Sequence, residues 1–291
     1  MTRRTRCNLC PAASQFDAAA ERIEINSNVR KFAHERFTVW RCASCRSLHS
    51  LEVVDLPRYY KDYPFQRQKA DIALRIISRS LFRRLRWAGY RREHSLLDFG
   101  CGSGLFVEWL RRKGFSNTHR FDAYTEKFND ASALQRKYDF VVAQDVIEHV
   151  EDAGALLDQL IDLTEPGGVL SIGTPNADAL DLQNPALCVH SLHQPYHLHV
   201  LSEQVLRKLA EVRGLTVERF YDVFYADTFV PFANVRFCHH YSRLYDNTID
   251  LAFDPYRFSW RLLTPKSLAL AFFGRFLPVR TEMMFLFRKP G

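Results

Sequence analysis

The segment that most constrains the fold is Ser95-Leu96-Leu97-Asp98-Phe99-Gly100-Cys101-Gly102-Ser103-Gly104. A short apolar run, the length of a buried strand, leads directly into three glycines at alternate positions. An amphipathic stretch from Leu105 to Lys113 follows and stops before Gly114. Glycines at a strand-to-helix junction let the backbone turn tightly and bring its N–H groups close to a ligand. The alternation then repeats. Thr118 to Tyr124 and Tyr138 to Gln144 read as strands, Ala153 to Leu163 as a helix, and Val169 to Gly173 as a buried strand after the turn at Pro166-Gly167-Gly168. Ser202 is placed to cap a helix running to about Arg213, and Gly214 follows it. Strands alternating with helices imply an α/β fold with a mostly parallel sheet covered on both faces. The last strand, Glu282 to Arg288, reads as a sheet edge.

A dinucleotide-binding fold uses a similar glycine loop. Two details argue against it here: the third glycine follows the second by two residues instead of three, and Asp98 precedes the first by two. The run LLDFGCGSG resembles the first motif of class I S-adenosylmethionine (SAM)-dependent methyltransferases. YDFVVAQDVIEHVED, LTEPGGVLSIGTPN and HQPYHLHVLSEQVLRKLAEVRGL resemble later segments of the ubiquinone-type O-methyltransferases and their zinc-ribbon relatives, in the same order, over about residues 94–220. The resemblance implies a Rossmann-like sheet of seven strands, mostly parallel with an antiparallel last strand. It also implies that Asp98, Gly100, Gly102 and Gly104 shape the methionine-binding loop, that Asp122 holds the ribose hydroxyls, and that Gln144 and Asp145 face the sulfonium and the acceptor. The fifteen residues from Ala123 to Lys137 leave little room for the family's third strand and its helix, so the adenine contact is open, with Asp130 or Ser132 as candidates.

SAM carries an activated methyl group, so the protein mainly orients two reactants and excludes water. An oxygen acceptor gains from a general base with a pKa near neutrality, which suits histidine. His197 and His149 are the candidates, whereas His190, His193 and His199 read as core or surface histidines. Asp145, Glu148, His149 and His197 also resemble a set that binds a divalent cation in some small-RNA methyltransferases and ubiquinone O-methyltransferases, and such an ion would acidify an acceptor hydroxyl.

Four of the seven cysteines form two C-x2-C pairs, Cys7 with Cys10 and Cys42 with Cys45. In a chain with no export signal this pattern reads as a tetrahedral structural zinc site rather than as disulfides. The 31 intervening residues leave space for a hairpin inserted into a zinc ribbon. We divide the chain into a zinc-ribbon head at 1–55, a basic helical connector at 56–93, and a methyltransferase domain at 94–291 with an aromatic-rich insertion at about 220–280.

The connector carries eleven Lys or Arg residues from Arg58 to Arg92 against Asp62 and Asp71, a local excess greater than the +7 of the whole chain. Leu74, Ile77, Leu81 and Leu85 recur at helical spacing between the arginines, which predicts a helix docked on the core with a solvated basic face. The alternative is a phosphate-attracting surface. In the insertion, twelve of the 40 residues from 220 to 259 are Phe or Tyr, fit either for a lid over a flat acceptor or for a small core. Ser267 to Arg280 reads as core packing, with a membrane surface as the alternative.

With 47% hydrophobic and 25% charged residues the composition is that of a globular protein, and no apolar run approaches the ~20 residues of a membrane-spanning helix. The expectation is a cytoplasmic SAM-dependent methyltransferase acting on a small-molecule acceptor, at oxygen. The alternatives are a C-methyltransferase on a nucleotide-linked sugar, an RNA-modifying enzyme gripping phosphates with the head and connector, and a SAM-binding protein without turnover. The sequence leaves the oligomeric state open.

Overall fold

The computed structural model describes residues 3–61 and 63–291, without the side chains of residues 66, 72 and 73. At the N-terminal end, β1 (Arg22–Asn26), β2 (Arg36–Arg41) and β3 (Leu48–Ser50) form an antiparallel meander. The hairpin β1–β2 fills the interval between the two C-x2-C pairs. The connector then forms α1 (Leu56–Tyr60) and α2 (Ile72–Trp87), the latter capped by the Asp71 carboxylate, which accepts from the Leu74 N–H. Leu81 and Leu85 are buried, while Arg75, Arg79, Arg83 and Arg86 line the outer face at helical spacing. The docked helix with a solvated basic face is therefore the arrangement adopted.

The main sheet begins with β4 (Leu96–Phe99), followed by α3 (Leu105–Arg112), β5 (Thr118–Phe121), β6 (Tyr138–Gln144), α4 (Ala153–Asp162) and β7 (Thr164–Pro175). Then come α5 (Val189–Leu192), β8 (His199–Val200), α6 (Glu203–Glu211), β9 (Thr216–Tyr221), α7 (Val235–Leu244), α8 (Pro265–Phe273) and β10 (Glu282–Arg288). The strand order is β5-β4-β6-β7-β10-β9. The first four strands are parallel, and β10 runs antiparallel to both β7 and β9. This is the expected Rossmann-like architecture, with two differences.

Among the described residues the sheet has six strands, not seven. The segment from Ala123 to Lys137 forms two single turns, Glu126–Phe128 and Ala131–Leu134, because a further parallel strand would need a crossover of a dozen or more residues on its own. In addition, β10 is an interior strand rather than an edge. Met283 through Phe287 are all buried, as a strand covered on both faces requires, so an unbroken apolar run has no solvent face to offer.

The head and the main sheet share structure. Strand β8 pairs with β3, so the chain after β7 supplies the fourth strand of the head's sheet. Buried Arg41 donates to the carbonyls of Ala177 and Leu180 at 2.8 and 2.7 Å, and the Ser202 hydroxyl donates to the Cys45 carbonyl at 2.8 Å. The insertion between β9 and β10 is helical. Its core is Phe237, Tyr241, Leu251, Leu262 and Ala271. No described helix is long and apolar enough to cross a membrane.

Candidate active site

The glycine loop closes β4 and opens α3 as the sequence predicts. Gly100, Gly102 and Gly104 all take positive φ, at 74°, 51° and 68°, which only glycine adopts without strain. A Cβ at Gly100 would come within 2.4 Å of Val146, and one at Gly104 within 2.9 Å of the Phe128 ring. At Gly102 a Cβ would meet nothing within 4 Å, so this backbone faces open space. Asp122, just past β5, accepts from the Gly102 N–H at 2.8 Å and from the Tyr124 N–H at 2.9 Å. It thereby fixes the loop, and it retains lone pairs for two further donors.

Asp98 is buried behind the loop. Burial, and secondarily the charge of Asp122, raise its pKa from 3.8 to about 7, with Arg120 opposing. The ring of Tyr60 on α1 stacks on Tyr124 with centroids 4.2 Å apart, and the Ser103 hydroxyl donates to Gln68 at 2.5 Å. The connector therefore crosses over the loop. Tyr60, Tyr63 and Gln68 are site residues that the sequence reading passed over; the cluster Tyr59-Tyr60 with Tyr63 was the available signal, masked by the surrounding charge.

At the end of β6 the chain turns at Asp145, whose φ of 54° is unusual for a residue with a Cβ. That turn aims its carboxylate into a crevice bounded by Thr174, Phe224, Tyr225 and Glu282. Asp145 is exposed at the crevice, and the protein packed around its carboxyl raises its pKa above the usual carboxylate value. Glu282, which opens β10, accepts from the Ser191 hydroxyl at 2.8 Å, and burial followed by the Asp145 charge pushes its pKa well above the usual carboxylate range. Gln144 is turned across the sheet instead. It lies over Gly173 and donates to the Ser171 hydroxyl at 3.0 Å. Asp130 sits on the surface, capping a turn through the Ser132 N–H.

Three side chains converge beside Asp145. Glu148, His149 and His197 each bring a ligand-type atom within 4.8 Å of the other two. Glu148 is 0% exposed; one oxygen accepts from the Thr174 hydroxyl at 3.0 Å, and the other has no hydrogen-bond partner. That orphaned oxygen lies 3.8 Å from His197 Nε2. The other His197 nitrogen, Nδ1, is held by the Ser191 carbonyl at 2.9 Å, and His149 Nδ1 pairs with the Tyr60 hydroxyl at 2.8 Å. His197 thus keeps Nε2 for the shared centre. Burial lowers the His149 pKa to about 4 and that of His197 well below its ordinary value, so both are neutral at pH 7. Neutral, outer-held imidazoles with an unpartnered buried carboxylate oxygen are what a divalent cation requires of its ligands. His199, by contrast, is committed to the Ile147 carbonyl at 3.0 Å, and His193 to Asn28 and Tyr63.

About the head, the sulfurs of Cys7 and Cys10 are 3.7 Å apart, and those of Cys7–Cys45 and Cys10–Cys42 are 3.8 Å apart. A tetrahedron of zinc–sulfur bonds near 2.3 Å has edges of about 3.8 Å, while a disulfide needs about 2.05 Å. The cluster has the dimensions of a zinc site.

Residues 65–219, more than half of the chain, match the family model for a methyltransferase domain. Over 100 residues the chain is 30% identical to a ubiquinone biosynthesis O-methyltransferase of Nitrobacter winogradskyi, covering 28% of this chain and 38% of that protein. Over 104 residues it is 31% identical to the Caulobacter vibrioides protein of the same description, covering 28% and 41%. The match thus spans about two fifths of each of these relatives. Among solved structures, a chain of the complex between the Haloferax volcanii Trm112 methyltransferase activator and a methyltransferase aligns with a TM-score of 0.50 at 14% identity. That alignment covers 82% of this chain and 100% of that one, and at this identity it speaks to the fold.

Proposed function

The chain belongs to the family of SAM-dependent methyltransferases, and from that premise we propose that it methylates a small-molecule acceptor at a hydroxyl oxygen. The observation that carries the proposal is the convergence of Glu148, His149 and His197 beside Asp145, at the strand end next to the glycine loop. An oxygen acceptor must lose its proton as it attacks, and this cluster offers neutral imidazoles and a carboxylate oxygen to receive or stabilise it.

The residues fit their ligands as follows. Asp122 is suited to the ribose hydroxyls, and the open backbone at Gly102 to the methionine portion. Asp98 is suited to the cationic amino group, whose positive charge compensates a buried carboxylate. SAM supplies a methyl carbon already activated by its sulfonium. The protein holds that carbon in line with the acceptor oxygen, and Tyr60, Tyr124 and the crossing connector keep water out. His197, whose Nδ1–H donates to the Ser191 carbonyl, presents Nε2 as the proton acceptor, and His149 lies beside it, paired with the Tyr60 hydroxyl. Where a divalent cation binds, Glu148, His149 and His197 would hold it with Asp145 at their side; the ion would then take the Nε2 lone pair of His197 and lower the pKa of an acceptor hydroxyl in place of a histidine base. Cys7, Cys10, Cys42 and Cys45 would hold a structural zinc ion that fixes the head, and the head fixes β8 two residues beyond His197.

Calorimetric titration with SAM tests the cofactor half. Asp122→Ala removes the ribose acceptor and one support of the loop, so affinity falls at least about a hundredfold, from the ~1.5–3 kcal/mol of each charged hydrogen bond. An unchanged affinity would remove Asp122 from the site.

The pH dependence follows from Asp98. SAM binding favours its ionised form, so affinity rises between pH 6 and pH 8, by up to about tenfold per pH unit below its pKa of about 7. In the cofactor-free protein the sign reverses. A carboxyl whose folded pKa is raised stabilises the fold fully below its ordinary 3.8, and that contribution is lost as pH rises through about 7. Titrations of Asp98→Asn that kept the wild-type slope would assign the dependence elsewhere.

A further inference from the structure

Helix α8 faces the wrong way for a helix whose only task is core packing. Its inner seam is made of small residues, Ser267 and Ala271, continued by Gly274, all buried. Leu270 packs on the insertion core, but the aromatics point out: Phe272 and Phe273 are 51% and 64% exposed, and Phe276 and Leu277 on the following turn are 69% and 58% exposed. Phe229 and Phe276 stack edge to face at 5.9 Å, and Phe232 meets Phe272 at 5.5 Å, so two exposed aromatics of this segment each pair with a ring from the loop before α7. Trp260, on the turn packed against the start of α8, is 80% exposed. Single exposed apolar residues are ordinary, but this many large apolar side chains exposed within one short segment mark a surface that something covers.

Charge identifies the occupant. From Pro255 to Thr281 the chain has Arg257, Arg261, Lys266, Arg275 and Arg280, and no Asp or Glu. Arg257, Arg275 and Arg280 meet Asp254, Asp227 and Asp222 from outside that stretch, whereas Arg261 and Lys266 have no carboxylate partner among the described residues. Outward aromatics flanked by unpaired cations match the interface of a bilayer: rings enter the acyl boundary while the cations meet phosphate headgroups. A second copy fits poorly, because a two-fold interface would press this basic stretch against its own duplicate.

We propose that the α8 face docks on the surface of an anionic phospholipid bilayer, with Phe272, Phe273, Phe276 and Trp260 inserting and Arg261 and Lys266 contacting headgroups. The face is continuous in sequence with Phe224 and Tyr225 at the Asp145 crevice, through the loop that carries Phe229. Docking itself is independent of the acceptor's identity.

Sedimentation with phosphatidylcholine vesicles, with and without phosphatidylglycerol, tests this on the full chain. The wild type should sediment with the anionic vesicles, at least tenfold less with the neutral ones, and less as salt rises. The triple variant Trp260→Ser, Phe273→Ser, Phe276→Ser should lose at least tenfold in vesicle binding while keeping its melting temperature, since these side chains are exposed. A wild type that stays in the supernatant with anionic vesicles overturns the proposal, as does a triple variant that binds equally well. Light scattering showing a lipid-free dimer that the variant dissociates, with no vesicle binding, would assign the face to a second copy instead.

Discussion

Replacing His197 by alanine should lower the rate constant for methyl transfer by about 10²–10⁴, the range typical of a removed general base, while the SAM dissociation constant stays within about twofold. His197 lies outside the glycine loop and is held only by the Ser191 carbonyl, with Nε2 directed at Glu148. Glu148→Gln should have an effect of the same order, because it exchanges one carboxylate oxygen for an amide that cannot accept a proton or bind a cation as strongly. Single-turnover measurements with labelled SAM separate the two steps. A divalent-cation titration adds a readout that a purely structural role would not move. If the trio holds an ion, turnover of the wild type saturates with Mg²⁺ or Mn²⁺ and that of Glu148→Gln does not. Equal loss of SAM binding and of turnover in both variants would mean that the trio supports the fold rather than the reaction.

The second large effect concerns the head. Structural zinc contributes an apparent ~10–16 kcal/mol in small sites, comparable to the whole net stability of ~5–15 kcal/mol typical of a folded domain. Cys42→Ser should abolish the bound zinc, measured by atomic absorption, and lower the melting temperature by at least about 10 °C. The loss should reach the active site. The Cys45 carbonyl holds Ser202, and β3 pairs with β8, so unfolding the head releases the strand two residues past His197. Turnover should therefore fall with zinc content even in protein that still binds SAM. A variant that lost zinc without a change in melting temperature would show that the cysteines carry no structural load.

Some of this organisation was legible in the sequence for definite physical reasons. Positive φ at Gly100, Gly102 and Gly104 is a backbone demand that few residues meet, so the loop announced itself, and Asp98 and Asp122 lay at fixed distances from it. The C-x2-C pairs did the same for the cysteine cluster. Glu148, His149 and His197 were grouped with Asp145 by the resemblance; in space the Leu198 N–H, which donates to the Glu148 carbonyl, brings His197 to the other two. Tyr60 reaches His149 across 89 residues of chain, and Glu282 faces the Asp145 crevice only because β10 is threaded between β7 and β9. For Gln144 the resemblance implied a place facing the sulfonium. A missing Cβ at Gly173 draws it across the sheet instead, a relation between two strands that no local pattern encodes. On α8, an apolar run predicts burial without saying which side chains face inward; here Ser267, Ala271 and Leu270 do, and the phenylalanines do not.

The proposed reaction, transfer of the SAM methyl group to a small molecule at the Glu148–His149–His197 cluster, can be tested in one experiment. The most direct measurement incubates the purified protein and its His197→Ala variant with methyl-labelled SAM and a cell extract, then separates small molecules, lipids, proteins and nucleic acids. Label is expected in the small-molecule or lipid fraction with the wild type, and at least a hundredfold less with the variant. Label confined to RNA or protein, equal labelling by the variant, or no transfer by protein that binds SAM would contradict it.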